Sequence, residues 1–175
     1  MNEVIKAICE RRSVRSFRPD AVPTEQLREI IKAGTYAASG RGMQSAVIVA
    51  VTSKEIRDRL SAMNCRIGGW KEDFDPFYGA PAVLLVLADR SRPTYLYDGS
   101  LVMGELMLAA HALGLGSCWI HRAKEEFETP EGRQWLQEWG LTGDYEGIGH
   151  CVIGYPAGEL PAPAPRREGR VLFVE

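Results

Sequence analysis

The run "PAVLLVLAD" at residues 81–89 decides the fold. No polar side chain interrupts it before Asp89, so it lacks the alternation of a half-buried strand. An apolar run of this length fits a central strand covered on both faces, and it is far too short to span a bilayer. Working toward the C-terminus, "YDGSLVMGELMLAAHAL" (97–113) is apolar nearly all round at helical length. That pattern describes a helix buried in a core or at a subunit interface. "GLGS" turns the chain into a short strand, "CWI" (118–120). Thr129, Pro130 and Glu131 supply an N-cap, an N1 proline and a first-turn acid, so a helix begins there and Gly140 ends it. "IGHCVIGY" (148–155) reads as a strand, and "PAGELPAPAP" (156–165) as a stiff, extended linker. The closing "RREGRVLFVE" (166–175) reads as an edge strand that either returns to its own sheet or crosses to a partner subunit.

Toward the N-terminus, residues 64–79 are rich in glycine and aromatics without a clear period, which predicts a loop or short helices. Ser53 caps a helix over 54–63, and the β-branched "AVIVAVT" (46–52) is a strand. "SGRG" (39–42) breaks a helix over 22–38, with Thr24 as its expected N-cap and Leu27, Ile30, Ile31 and Gly34 on one face. Val4, Ile5, Ile8 and Cys9 keep a helical period over 2–11. Several strand pairs lack βαβ spacing. The expected class is therefore α+β, a mixed, mainly antiparallel sheet flanked by helices, in a single domain over 1–175 with no internal repeat.

The 175 residues suffice for a sizeable core, and 45% hydrophobic with 25% charged residues is ordinary for a globular chain. A net charge of −2 gives no support to a nucleic-acid or anionic-membrane partner. "MNEVIKAICERR" has Glu3 in place of a basic n-region and no long apolar core, so it is not expected to be a secretory signal. Cys9, Cys65, Cys118 and Cys151 are widely spaced in apolar sequence and are expected to be free buried thiols of a cytoplasmic protein.

Familiar catalytic motifs are absent: there is no Walker A loop, no GxGxxG after a strand, no HExxH and no GxSxG. Cys118 and His121 have C-x-x-H spacing and His150 adjoins Cys151, but neither pair has two further ligands at zinc spacing. Cys118 reads as a buried thiol rather than a nucleophile. "RRSVRSF" (11–17) remains. Three guanidinium groups, on Arg11, Arg12 and Arg15, fall within five residues beside the Ser13 hydroxyl. Such a cluster offers a phosphate charge-assisted, partly bidentate hydrogen bonds. It is equally the composition of a solvated helix end, where cations favour the dipole.

Read as an ordered set, "RRSVRSF" (11–17), "AGTYAASGRGMQ" (33–44), "GLGSCWIHR" (114–122), "IGYP" (153–156) and the Arg-bearing tail resemble the FMN-dependent nitroreductase family. The likeness covers nearly the whole chain and is closest to short-chain bacterial members with "SCWIHRAKEEF" and "YEGIGHCVIGY". It implies a homodimer with FMN at the interface and the C-terminal arm exchanged between subunits. It also implies ping-pong hydride transfer from NADH or NADPH, through flavin N5, to an electron-poor acceptor of nitroaromatic or quinone type. Two other outcomes are kept: a flavin-binding sensor or carrier without turnover, and the same fold with another flavin reaction.

By that resemblance Arg11 and Ser13 hold the FMN phosphate, Arg12 approaches the phosphate and ribityl end, and Arg15 faces the pyrimidine ring. Ser39, Gly40 and Gln44 belong to a loop reaching the partner's flavin. A backbone N–H among Ile120, His121 and Arg122 donates to N5, with Trp119 a step behind. Arg166 and Arg167 match a second phosphate-binding pair. The sequence departs from the family pattern at Ala38, Gly42 and Ser45, where proline, asparagine and proline are usual, and at Ala164, often lysine. Arg41 is a possible substitute for the missing asparagine. No catalytic side chain is assigned. Trp70, Phe74, Phe77 and Tyr78 are the candidate lid over the acceptor, or else anchors of their own loop.

Overall fold

The computed structural model describes every residue from Met1 to Glu175. Six helices and four strands follow in the order α1 (Glu3–Glu10), α2 (Thr24–Gly34), β1 (Ala46–Val51), α3 (Lys54–Gly68), β2 (Ala82–Asp89), α4 (Tyr95–Ala112), β3 (Gly116–Ile120), α5 (Ala123–Glu128), α6 (Pro130–Glu138) and β4 (Tyr145–Gly154). The sheet order is β1-β2-β4-β3, and every neighbouring pair is antiparallel. The only parallel link is a bridge between Ser13 and Ser117.

The run 81–89 forms the strand its composition demands. Leu84, Val86 and Ala88 point to one face and Val83, Leu85 and Leu87 to the other, and all six are fully buried. On the first face they pack against Leu27 and Ile30 of α2 and Met103, Leu106 and Ala110 of α4. On the second they meet Leu60 and Met63 of α3, Phe127 of α5 and Trp135 and Leu136 of α6. Two apolar layers thus sandwich one sheet, giving an α+β architecture. Gly34 lets α2 approach α4 closely, because a Cβ there would lie 2.6 Å from Leu106.

Several expected boundaries move. Pro23, not Thr24, occupies the N-cap of α2, and Thr24 begins the helix. Ser53 Oγ accepts from Ile56 N–H as expected, but α3 runs on past Met63 until Gly69 turns left-handed at φ 69°. Its added turn buries Asn64 and Cys65, polar or small residues that the apolar period did not reveal. Helix α5 also escapes the periodicity, being only six residues long. Thr129 does cap α6, accepting from Gly132 N–H at 3.0 Å. Cys65, Cys118 and Cys151 are buried free thiols, but Cys9 is exposed.

For the tail, one of the two expected outcomes is removed. Residues 166–175 form no strand, and Val171, Leu172, Phe173 and Val174 are 74–87% exposed. The tail therefore does not return to its own sheet. Helix α1 is similar: Asn2 caps it, yet Val4, Ile5 and Ile8 find no core within the chain. Leu96, Tyr97 and Leu101 of α4 are exposed too.

Candidate functional site

The cluster "RRSVRSF" lies beyond the first helix rather than forming a solvated helix end. Helix α1 stops at Glu10, and the chain is extended from Arg11 (φ −54°, ψ 135°). It runs along the open edge of β3, where Val14 N–H donates to Ser117 O at 2.9 Å. Val14 turns inward over Gly116, where a Cβ would come within 2.8 Å of it, and Arg15 is exposed. Arg12 folds back onto α1, its Nη1 donating to Cys9 O at 2.7 Å and Arg11 O at 2.6 Å. This caps the helix C-terminus and leaves that nitrogen engaged there rather than toward a phosphate. Two cationic donors remain buried with no partner, Arg11 Nη1 and Arg12 Nε. Buried donors are rarely left unpaired, and on guanidinium groups they call for an anion. Beneath them, burial pushes the Cys118 thiol up, opposed by the Arg15 charge, a hydrogen bond with Ser13 and the Arg11 charge.

Strand β3 ends at Ile120, which is buried. Trp119 is about one-third exposed and lies over Gly149, leaving no room there for a Cβ. The His121 side chain is exposed. Arg122 is left-handed (φ 80°, ψ 7°), and its guanidinium stacks 4.5 Å from the Trp70 ring. The N–H groups of His121 and Arg122 donate to no protein acceptor. Below this elbow lie three fully buried polar side chains. Asn64 Nδ2 donates to His121 O at 2.8 Å and to Glu126 Oε1 at 2.5 Å. His150 Nε2 sits 2.8 Å from Glu126 Oε2, and its Nδ1 lies 3.4 Å from Ile120 O. None of the three stands out in sequence. Asn64 falls outside the expected helix, Glu126 lies in a missed one, and His150 draws notice only beside Cys151.

Ser39, Gly40 and Gln44 lie in a loop wrapped around a 3-10 turn, Gly40–Gly42. Arg41 and Gln44 both have positive φ, 55° and 48°, a conformation unfavourable to side chains of their size. Asp98 holds the loop in place. It accepts from Gly40 N–H at 3.0 Å, Ser45 Oγ at 2.7 Å and Thr94 Oγ1 at 3.1 Å. Asp98 stands near the start of the largely apolar stretch 97–113, and a carboxylate buried there needs donors. Arg41 is exposed and takes no part in this network.

Asp98 carries a testable pH dependence. Burial pushes its carboxyl up, but the hydrogen bonds from Gly40, Ser45 and Thr94 outweigh it and leave the group below its ordinary 3.8. Asp75 behaves alike. Burial is outweighed there by Arg57, Ser61 and Gly79 N–H. A depressed folded-state pKa stabilises the fold fully above the unfolded value and loses that contribution as pH falls through the folded one. Chemical denaturation is therefore expected to show stability falling below about pH 4, and Asp98→Asn to flatten that acid limb.

The predicted residues are only partly brought together. Arg11, Ser13 and Arg15 join Trp119–Arg122 along β3. Ser39, Gly40 and Gln44 precede β1, at the opposite edge of the sheet, about 14 Å away by strand spacing. Arg166 and Arg167 lie on the exposed tail, in a shallow groove with Gly169, Arg170 and Val171. Of the candidate lid, Phe77 is fully buried against His150 (5.0 Å) and is a core residue. Trp70 and Phe74 are exposed and meet edge to face at 5.2 Å, and Phe74 meets Tyr78 at 6.0 Å. No helix is long and apolar enough to cross a membrane.

Comparison with known proteins bears on the whole arrangement. Residues 8–65 and 69–155 match the model of the family described as Nitroreductase family. The chain is 30% identical over 139 residues to the FMN reductase (NAD(P)H) of Bacillus subtilis strain 168, covering 67% of this chain and 53% of that protein. It is 33% identical over 129 residues to the NADPH-flavin oxidoreductase of Vibrio harveyi, covering 69% of this chain and 54% of that one. The matched stretch thus spans about half the length of these two relatives. A nitroreductase with bound FMN from Bacteroides fragilis NCTC 9343 superposes over 100% of both chains with a TM-score of 0.89 at 28% identity.

Proposed function

The chain belongs to the nitroreductase family, and on that premise we propose that it is an FMN-dependent oxidoreductase using NADH or NADPH to reduce an electron-poor acceptor. The observation that carries the proposal is the pair of buried, unpartnered guanidinium donors, Arg11 Nη1 and Arg12 Nε, beside an edge strand whose exit presents two free N–H groups. A phosphate would satisfy the first pair, and the N–H groups suit acceptor atoms of a flavin ring. Ser13 adds a hydroxyl donor, and the exposed Arg15 is free to face a ring that gains negative charge on reduction. When bound, FMN supplies the hydride-accepting and hydride-donating chemistry. The chain's own part is to hold the phosphate, orient the ring and present an apolar wall. No side chain is assigned as acid or base.

The complete site requires a second copy of the chain. Ser39, Gly40 and Gln44 lie on the far edge of the sheet, and Arg166 and Arg167 on an exposed arm. Val4, Ile5 and Ile8 of α1, Tyr97 and Leu101 of α4, and Val171–Val174 of the tail are large apolar side chains left exposed in the single chain, and exposed apolar surface of this kind suits an interface. A homodimer with exchanged arms would cover these surfaces and bring Gln44 and the tail arginines toward the partner's cofactor. Three buried, unpaired thiols fit a reducing, cytoplasmic setting.

The test is FMN titration of purified protein followed by steady-state assay with a quinone or nitroaromatic acceptor. The expected result is stoichiometric flavin uptake and FMN-dependent NAD(P)H oxidation. Uptake without turnover would leave a binding protein, and no uptake would remove the proposal.

A further inference from the structure

We infer that Asn64, Glu126 and His150 are positioning residues for the flavin ring: they hold the β3–α5 elbow from below so that the Arg122 N–H faces outward as the donor to flavin N5. The inference rests on the FMN proposal above.

The geometry has three parts. First, the elbow's carbonyls are tied down while its N–H groups are free. His121 O accepts from Asn64 Nδ2 at 2.8 Å, Arg122 O accepts from Glu126 N–H at 3.0 Å, and Ile120 O lies 3.4 Å from His150 Nδ1. Second, a trans peptide holds its C=O and N–H in one plane, pointing in opposite directions. Fixing His121 O into the core therefore turns the N–H of the same peptide, that of Arg122, away from it. Third, the clamp is itself rigid. Asn64 is bound to Glu126 Oε1, Glu126 Oε2 lies 2.8 Å from His150 Nε2, and all three side chains are fully buried. Glu126 Oε2 and His150 Nε2 meet at ion-pair distance, and neither they nor Asn64 Oδ1 has a hydrogen-bond partner. Burying three polar groups without solvent is costly and is otherwise unexplained in an apolar layer.

The left-handed backbone of Arg122 fits this account. Such a conformation persists in a non-glycine residue only where surrounding contacts fix it, and here those contacts are the Asn64 bond below and the Trp70 stack above. An amide donor at N5 also gains strength when its own carbonyl is hydrogen-bonded, because a polarised peptide carries a more acidic N–H.

The test uses 15N-labelled FMN in the wild-type protein, Asn64→Leu and Asn64→Ser. Leucine keeps the volume without a donor, and serine keeps a polar group but is one bonded atom too short to reach His121 O. The N5 resonance moves upfield when N5 accepts a hydrogen bond. Wild type is expected to show the upfield position, and either variant a downfield return. Flavin reduction by NAD(P)H should slow about tenfold in the variants, with FMN Kd changed less than about threefold because the phosphate contacts are untouched. Glu126→Gln, which keeps an acceptor for Asn64, is expected to keep the upfield position of the wild type. If either folded variant binds FMN with N5 unmoved, the inference is overturned while the FMN proposal stands. If wild type takes up no FMN, both fall.

Discussion

Glu126→Ala is expected to lower the stability of the fold by about 3–5 kcal/mol, the cost of leaving one partner of a buried polar pair unsatisfied. Glu126 and His150 are both fully buried, and their facing atoms have only each other. Removing the carboxylate leaves His150 Nε2 in a pocket formed with the Phe77 ring, 5.0 Å away, and leaves one Asn64 amide bond unmade. For a chain of this size the loss corresponds to roughly 6–20 °C in Tm. Glu126→Gln is expected to cost much less, because the amide still bonds both neighbours. The double variant Glu126→Leu with His150→Leu is expected to recover much of the loss, since an apolar pair needs no partners. Thermal and urea unfolding of the FMN-free protein measure all three. Equal destabilisation by alanine and glutamine would show that packing, not the pair, sets the effect.

Arg11→Ala is expected to raise the Kd for FMN about 10- to 150-fold, corresponding to the loss of a charged hydrogen bond of about 1.5–3 kcal/mol. The FMN-free protein should not be destabilised by the same change. Arg11 Nη1 is buried without a partner, so in the absence of an anion it contributes a desolvation cost rather than a bond. Weaker FMN binding combined with unchanged or higher apo stability is a signature that an ordinary structural arginine would not give. Arg15→Ala separates the two roles. Its side chain is exposed, and it is expected to slow flavin reduction more than it weakens binding. Fluorescence titration of FMN and urea unfolding of the apo protein supply the numbers.

The sheet was legible because its strands are written in apolar composition. Residues 81–89 had to be covered on both faces, and the alternation of Val83–Leu87 with Leu84–Ala88 divides the core into two layers. Helix ends marked by Ser53, Thr129 and Gly140 were equally plain, since each has a local backbone cause. The tail was legible only as a choice between two destinations. "VLFVE" has strand composition, but a strand forms only where an edge receives it, and this chain's own sheet does not. The arginine cluster was legible as chemistry but not as geometry, because nothing local to it encodes the extended backbone from Arg11 that pairs with Ser117. The supporting residues were the least visible. Apart from the Thr94–Asp98 bond, the side chains of Asn64, Asp98, Glu126 and His150 act through partners 24 to 62 positions away, and no local pattern encodes such pairings.

The central claim is that this chain holds FMN and draws hydride onto it from a nicotinamide nucleotide. The visible spectrum of FMN-reconstituted protein under anaerobic titration with NADH or NADPH tests it most directly. The expected result is a bound-flavin spectrum that bleaches with one equivalent of nucleotide and returns on adding a quinone. Protein that stays colourless with excess FMN, or bound flavin that keeps its absorbance through the titration with both nucleotides, would contradict it.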